Sequence, residues 1–149
     1  IFRRSSGLWA IRDITRTYFG GLYDLPIPGY YDSGPGARIG IYRPSSGLWV
    51  IRGLTRRYYG RSGDYPVPAD YDGDGIDSIG IFRESTGLWA IDGMPPVYFG
   101  TRNDYPQPAD YNGSGFDRIT IYRPETGLWA VRGLTRKYWG GPNAVPVTW

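Results

Sequence analysis

An all-β repeat protein is the fold class this sequence predicts: four tandem antiparallel β-blade units of about forty residues, propeller-like, with an open β-repeat array or filament as the alternative arrangement. Three observations predict it. Gly-Leu-Trp recurs and places Trp9, Trp49, Trp89 and Trp129 in register, while Arg3, Arg43, Arg83 and Arg123 each follow Ile-aromatic. Gly20, Gly60, Gly100 and Gly140, with Pro26, Pro66, Pro106 and Pro146, complete the series. No segment carries a convincing helical period. The chain reads as one repeat domain, with units at 1–40, 41–80, 81–120 and 121–149, the last stopping before its loop.

The second unit shows the local code. Ile39 to Arg43 alternates as a strand, and Pro44-Ser45-Ser46-Gly47 is a turn with proline early and glycine late. Leu48 to Arg52 is the second strand, whose alternation sets Trp49 and Ile51 on the face opposite Leu48 and Val50. Gly53 breaks it, and Thr55 to Tyr59 follows as a β-branched and aromatic third strand. In Asp64-Tyr65-Pro66-Val67-Pro68 the two prolines remove N–H donors from one side only. This predicts an edge strand or a polyproline-like connector. The third unit departs from its siblings. Met94-Pro95-Pro96 should shorten its third strand, and Asp92, standing where the others carry Arg12, Arg52 and Arg132, reads as drift on a solvated face.

Composition narrows the classes. Aromatics at 17% and charged residues at 21% are those of a folded chain, and no apolar run is long enough for a membrane-spanning helix. The net charge of +3 comes from 17 basic residues, of which only Lys137 is lysine. These are spread evenly among acids, which argues against nucleic-acid binding. Sixteen arginines beside 14 tyrosines predict cross-strand packing. With no histidine and no cysteine, the common bases, zinc ligands and thiol nucleophiles are missing. The only glutamates, Glu84 and Glu125, fall in the turn equivalent to Pro44-Ser45, which weakens a glycoside-hydrolase reading. The expectation is a protein that is not an enzyme.

Between units two and three lies an acidic, glycine-punctuated loop. Calcium takes six to eight oxygens with several charges close together. Asp70, Asp72 and Asp74, the Ile76 carbonyl, and Asp77 or Ser78 offer that set, with Gly73 and Gly75 for the wrap. Position twelve is Ile81, so the loop is not an EF-hand. The next copy, Asp110, Asn112 and Ser114, keeps oxygens with fewer charges, and the first, Tyr30 to Pro35, keeps almost none. The competing reading is that aspartate and glycine simply make turns. Calcium is expected at one loop, with the third as a weaker site.

Pro68-Ala69-Asp70-Tyr71-Asp72-Gly73-Asp74-Gly75, then Ile79 to Arg83, then Thr86-Gly87-Leu88-Trp89, resemble the bacterial FG-GAP/VCBS repeats, relatives of the integrin α-subunit propeller. The resemblance covers essentially the whole chain in four copies. It implies propeller blades, calcium in the inter-strand loops, an extracellular or cell-surface location, and roles in adhesion or glycan binding. The family usually carries aspartate at the ninth loop position, where this chain has Ser78.

A tryptophan at a fixed place in every unit is expected in the core. The tyrosines beside the loops, Tyr31, Tyr65, Tyr71, Tyr105 and Tyr111, together with Tyr23 and Tyr30, are expected to be exposed and are the candidates for stacking on sugars. The phase of the ends predicts a chain that continues into further repeats or associates with copies of itself, as in a filament. The functional expectation is therefore a structural or adhesive module, with a calcium-assisted lectin as the alternative.

Overall fold

A computed structural model describes residues 1–141 and 144–146; Val147 to Trp149, the end of the fourth unit, lie outside them. Among the described residues there are only strands, turns and loops, arranged as four antiparallel sheets. The first sheet holds β1 (Phe2–Arg3), β2 (Leu8–Ile11) and β3 (Thr15–Tyr18). The second holds β4 (Leu25–Pro26), β5 (Gly40–Arg43), β6 (Leu48–Ile51) and β7 (Thr55–Tyr58). The third holds β8 (Tyr65–Pro66), β9 (Gly80–Arg83), β10 (Leu88–Ile91) and β11 (Val97–Tyr98). The fourth holds β12 (Tyr105–Pro106), β13 (Thr120–Arg123), β14 (Leu128–Val131) and β15 (Thr135–Tyr138). Each sheet is a meander in chain order.

The local rules explain the elements. In the β5–β6 turn the Ser46 and Gly47 amides both donate to the Arg43 carbonyl. Gly47 has φ +68, and a Cβ there would lie 2.6 Å from the Gly60 carbonyl oxygen, so the position must be glycine. The Pro-x-Pro segments resolve as edge strands. Tyr65 and Pro66 pair with Phe82 and Ile81, and the Val67 amide donates to Gly80 at 2.8 Å, which leaves the proline nitrogens facing away from the sheet. Proline also acts as expected in unit three, where β11 has two residues against four in β7.

The core forms within sheets and between them. Trp49 and Trp89 are fully buried and Trp9 nearly so, each indole N–H reaching a carbonyl, of Tyr59, Phe99 and Phe19 respectively. Trp129 is half-buried. Tyr42, Phe82 and Tyr122 lie with ring centroids 5.0–5.2 Å from the tryptophan of the same sheet. Ile79 and Ile81 pack with Tyr42, Trp49 and Ile51, and Ile119 and Ile121 with Phe82, Trp89 and Ile91, so the second sheet shares its core with the third and the third with the fourth. Asp92 is not drift. It takes the Arg57 guanidinium of the preceding sheet through two bonds, of 2.7 and 3.0 Å.

Candidate functional site

The acidic loop closes on itself. Ala69 and Ser78 form a one-residue bridge at its base, with the Ser78 amide donating to the Ala69 carbonyl at 2.9 Å. Inside, Asp70 accepts from the amides of Gly73 (2.7 Å) and Gly75 (2.8 Å), Asp72 from Asp74, and Asp74 from Ile76. These side-chain turns draw the three carboxylates together, so that one ligand oxygen from each lies within 4.8 Å of the others. A carboxylate oxygen has two lone pairs, and each of these keeps acceptor capacity beyond its amide bonds. Residues 70–78 contain no basic residue. The donor set, all oxygen and densely charged, fits a hard cation such as calcium.

Asp77 stands apart from that group. Its amide donates to the Tyr30 carbonyl at 2.7 Å, and its Oδ2 accepts from the Tyr30 amide at 2.8 Å. The same reciprocal pair joins Asp117 to Asp70, at 2.6 and 3.0 Å. The last acid of each of these loops thus grips the first residue of the loop one unit earlier. Burial pushes the Asp77 carboxyl up; the Tyr30 amide opposes this, and the nearby Asp117 and Asp70 charges add to it. Asp117 is raised for the same first reason.

The sibling loops carry their own cation. In the first, Arg38 forks onto Asp32 at 2.7–3.2 Å and holds that carboxyl below its usual range. In the third, the Arg118 Nε donates to Asn112 Oδ1 at 3.2 Å, while Asp110 is lowered by the amides of Gly115, Ser114 and Asn112. Ser114 donates both its amide and its hydroxyl to Asp110. Ser78 occupies the position of Arg38 and Arg118 in the second loop. That loop has the most carboxylates and no guanidinium.

The loop tyrosines divide. Tyr31 and Tyr71 are buried, 8% and 6% exposed, with hydroxyls donating to the carbonyls of Ile27 and Val67. Burial raises both phenols. They are core residues, which corrects the expectation that they are exposed. Tyr111 makes the same bond to Gln107 and lies edge-on to Trp129, yet remains exposed. Tyr65 and Tyr105 flank a cleft of about 360 Å³ with Glu84, Asn103, Pro124 and Glu125. There Glu84 accepts from the Tyr65 hydroxyl and the Asn103 amide, and Glu125 from the Asn103 side chain. The two glutamates of the repeat-equivalent turns therefore meet around one asparagine.

Two sets of residues escaped the sequence reading. Asp24, Asp64 and Asp104 are buried, and each takes the arginine nineteen residues on, Arg43, Arg83 or Arg123, through a planar fork of 2.7–3.0 Å. Each also caps a turn by accepting from the amide of Gly21, Arg61 or Thr101. Arg43, Arg83 and Arg123 are thus held by carboxylates rather than by rings, although Arg57 does lie over Tyr59 and Arg118 over Phe116. The forty-residue period of these aspartates was the available signal. The second set is Tyr18, Tyr58, Tyr98 and Tyr138, one on the last strand of every sheet and 66–75% exposed.

Comparison with protein families, with curated proteins and with solved structures finds no match to this chain.

Proposed function

We propose that this chain is a non-catalytic structural module of an extracellular or cell-surface protein, working in series with further repeat units of the same kind. The observation that carries this reading is the reciprocal bond between successive loops, Asp77 with Tyr30 and Asp117 with Asp70, which couples the second unit to the first and the third to the second. Shared cores between consecutive sheets support it, because quasi-one-dimensional proteins gain their stability from such nearest-neighbour interfaces. So does the likeness of the Asp70–Arg83 stretch to FG-GAP/VCBS repeats, which makes the four sheets blades of a propeller-like ring or of an open array. Asp70, Asp72 and Asp74 would hold calcium in the second loop. The ion would supply charge neutralisation there and stiffen the segment that Asp117 grips.

A second reading, a lectin, is favoured by the cleft between Tyr65 and Tyr105, where aromatic faces and hydrogen-bonding groups converge. A glycan array probed with and without chelator decides between them. The structural reading expects no saturable sugar binding at millimolar ligand, and chelator-sensitive binding lost in Tyr105→Ala would contradict it.

A further inference from the structure

We infer that the gap between the third and fourth sheets is a binding site for a small organic carboxylate with an apolar body. The site lies within one chain and goes beyond the structural reading, because it does not depend on how units are joined. A position that repeats every forty residues explains how it arises. Arg57, opposite Trp49, crosses from the second sheet to Asp92 in the third and spans the gap between them with two bonds. One unit later Val97 stands opposite Trp89 in place of that arginine, and Arg132 stands in place of that aspartate. Val97 ends at its γ carbons and cannot cross. The ladder to the last strand is shorter there as well. It stops at Trp89–Val97, whereas in the second sheet it runs on to Ile51–Thr55. Pro95, at the position of Thr55, has no N–H with which to continue it.

What remains is an open cavity of about 360 Å³, at the small end of the range for small-molecule sites. Ile91, Met94, Val97 and Ile119 give it apolar walls, and Arg118 and Arg132 bring two guanidiniums to it. Arg132 is exposed and makes no ion pair with a described carboxylate. Arg118 lies over the Phe116 ring and spends one of its five donors on Asn112. The lining holds one carboxylate, Asp117, whose Oδ2 already accepts from the Asp70 amide at 3.0 Å. Two positive charges against one negative favour an anion, and the planar guanidinium fork matches a carboxylate. The body of such an acid would leave water against the apolar walls, which selects an aryl or alkyl acid over an inorganic anion.

The test uses phenylbutyrate and its uncharged counterpart phenylbutanol, each titrated into the isotope-labelled full chain while backbone amide shifts are followed. Phenylbutyrate should bind saturably, with the largest shifts at Ile91, Met94, Val97, Ile119 and Arg132. It should bind about tenfold or more tighter than the alcohol, as a hydrogen bond to a charged group allows. Arg132→Gln, at an exposed position, should remove most of that preference and leave the affinity for the alcohol unchanged. Val97→Arg combined with Arg132→Asp rebuilds the pair that Arg57 makes with Asp92. This double variant should lose binding of both probes while melting at or above the parent temperature, a result that loss of folding could not imitate. Equal affinity for acid and alcohol, indifference to Arg132→Gln, or no saturable binding of either probe would overturn the assignment. Binding that survives in the folded double variant would overturn it too, by placing the probe outside the cavity.

Discussion

Asp77 holds Tyr30 at both ends of one residue: its backbone N–H donates to the Tyr30 carbonyl at 2.7 Å, and its carboxylate receives the Tyr30 N–H at 2.8 Å. Removing the side chain leaves one of the two bonds. Asp77→Ala should destabilise the chain by about 1–2 kcal/mol, the range for a charged hydrogen bond at a partly exposed site. Urea denaturation checks this, and an unchanged midpoint would deny the clamp any energetic role.

The same carboxyl sets a pH dependence. Its folded-state pKa is raised, chiefly by burial, so the ionised form costs stability above that pKa. The cost disappears as the pH falls through the raised value toward the ordinary carboxylate range. Asp77→Asn keeps an acceptor oxygen for Tyr30 without the charge. Relative to the parent it should gain most at neutral pH, and the difference should shrink near pH ~4. Asp32 and Asp110, whose values are lowered, act in the opposite sense. What they stabilise is present above the unfolded value and is lost as the pH falls through their folded ones. A gap between Asp77→Asn and parent that widens on acidification would contradict the assignment.

Calcium should raise the melting temperature relative to chelator, and Asp72→Ala should abolish the difference. The effect should fade on acidification, since protonation of Asp77 and Asp117 removes the charge around Asp70 that a cation would relieve. Identical melts with calcium and chelator would remove the ion from the second loop.

The buried forks are the costliest polar groups to break. Asp64→Ala should destabilise by about 3 kcal/mol, the low end for breaking a buried pair, because the Arg83 guanidinium can still reach water. Asp92→Ala, from an exposed pair, should cost less than about 1 kcal/mol. Chemical denaturation of the two variants side by side tests the ranking, and equal losses would reject it.

The strands and the buried tryptophans were legible because alternation and a forty-residue period are local, repeated signals. Even the shortened β11 followed from Pro95 and Pro96. The clamp was not legible. Asp77 sits among acids at ligand spacing, and nothing local says that its oxygen belongs to Tyr30 forty-seven residues earlier. The burial of Tyr31 and Tyr71 was hidden for a similar reason, since each hydroxyl is satisfied by a carbonyl four residues back and the loop tyrosine can then turn inward. Asp24, Asp64 and Asp104 were visible as a period, but an aspartate two residues ahead of a proline reads first as a turn residue. Their arginine partners lie across the strand pair.

The most direct measurement is the thermal unfolding of a chain carrying a copy of residues 61–80 fused ahead of Ile1, in the phase that joins Gly80 to Ile81. The added segment brings an aspartate-bearing edge strand to β1. Units coupled in series should melt together in one transition, raised by about 4 °C or more, since a gain of 1 kcal/mol moves a domain of this size by about 2–4 °C. An unchanged midpoint, or a second transition of its own, would contradict the account.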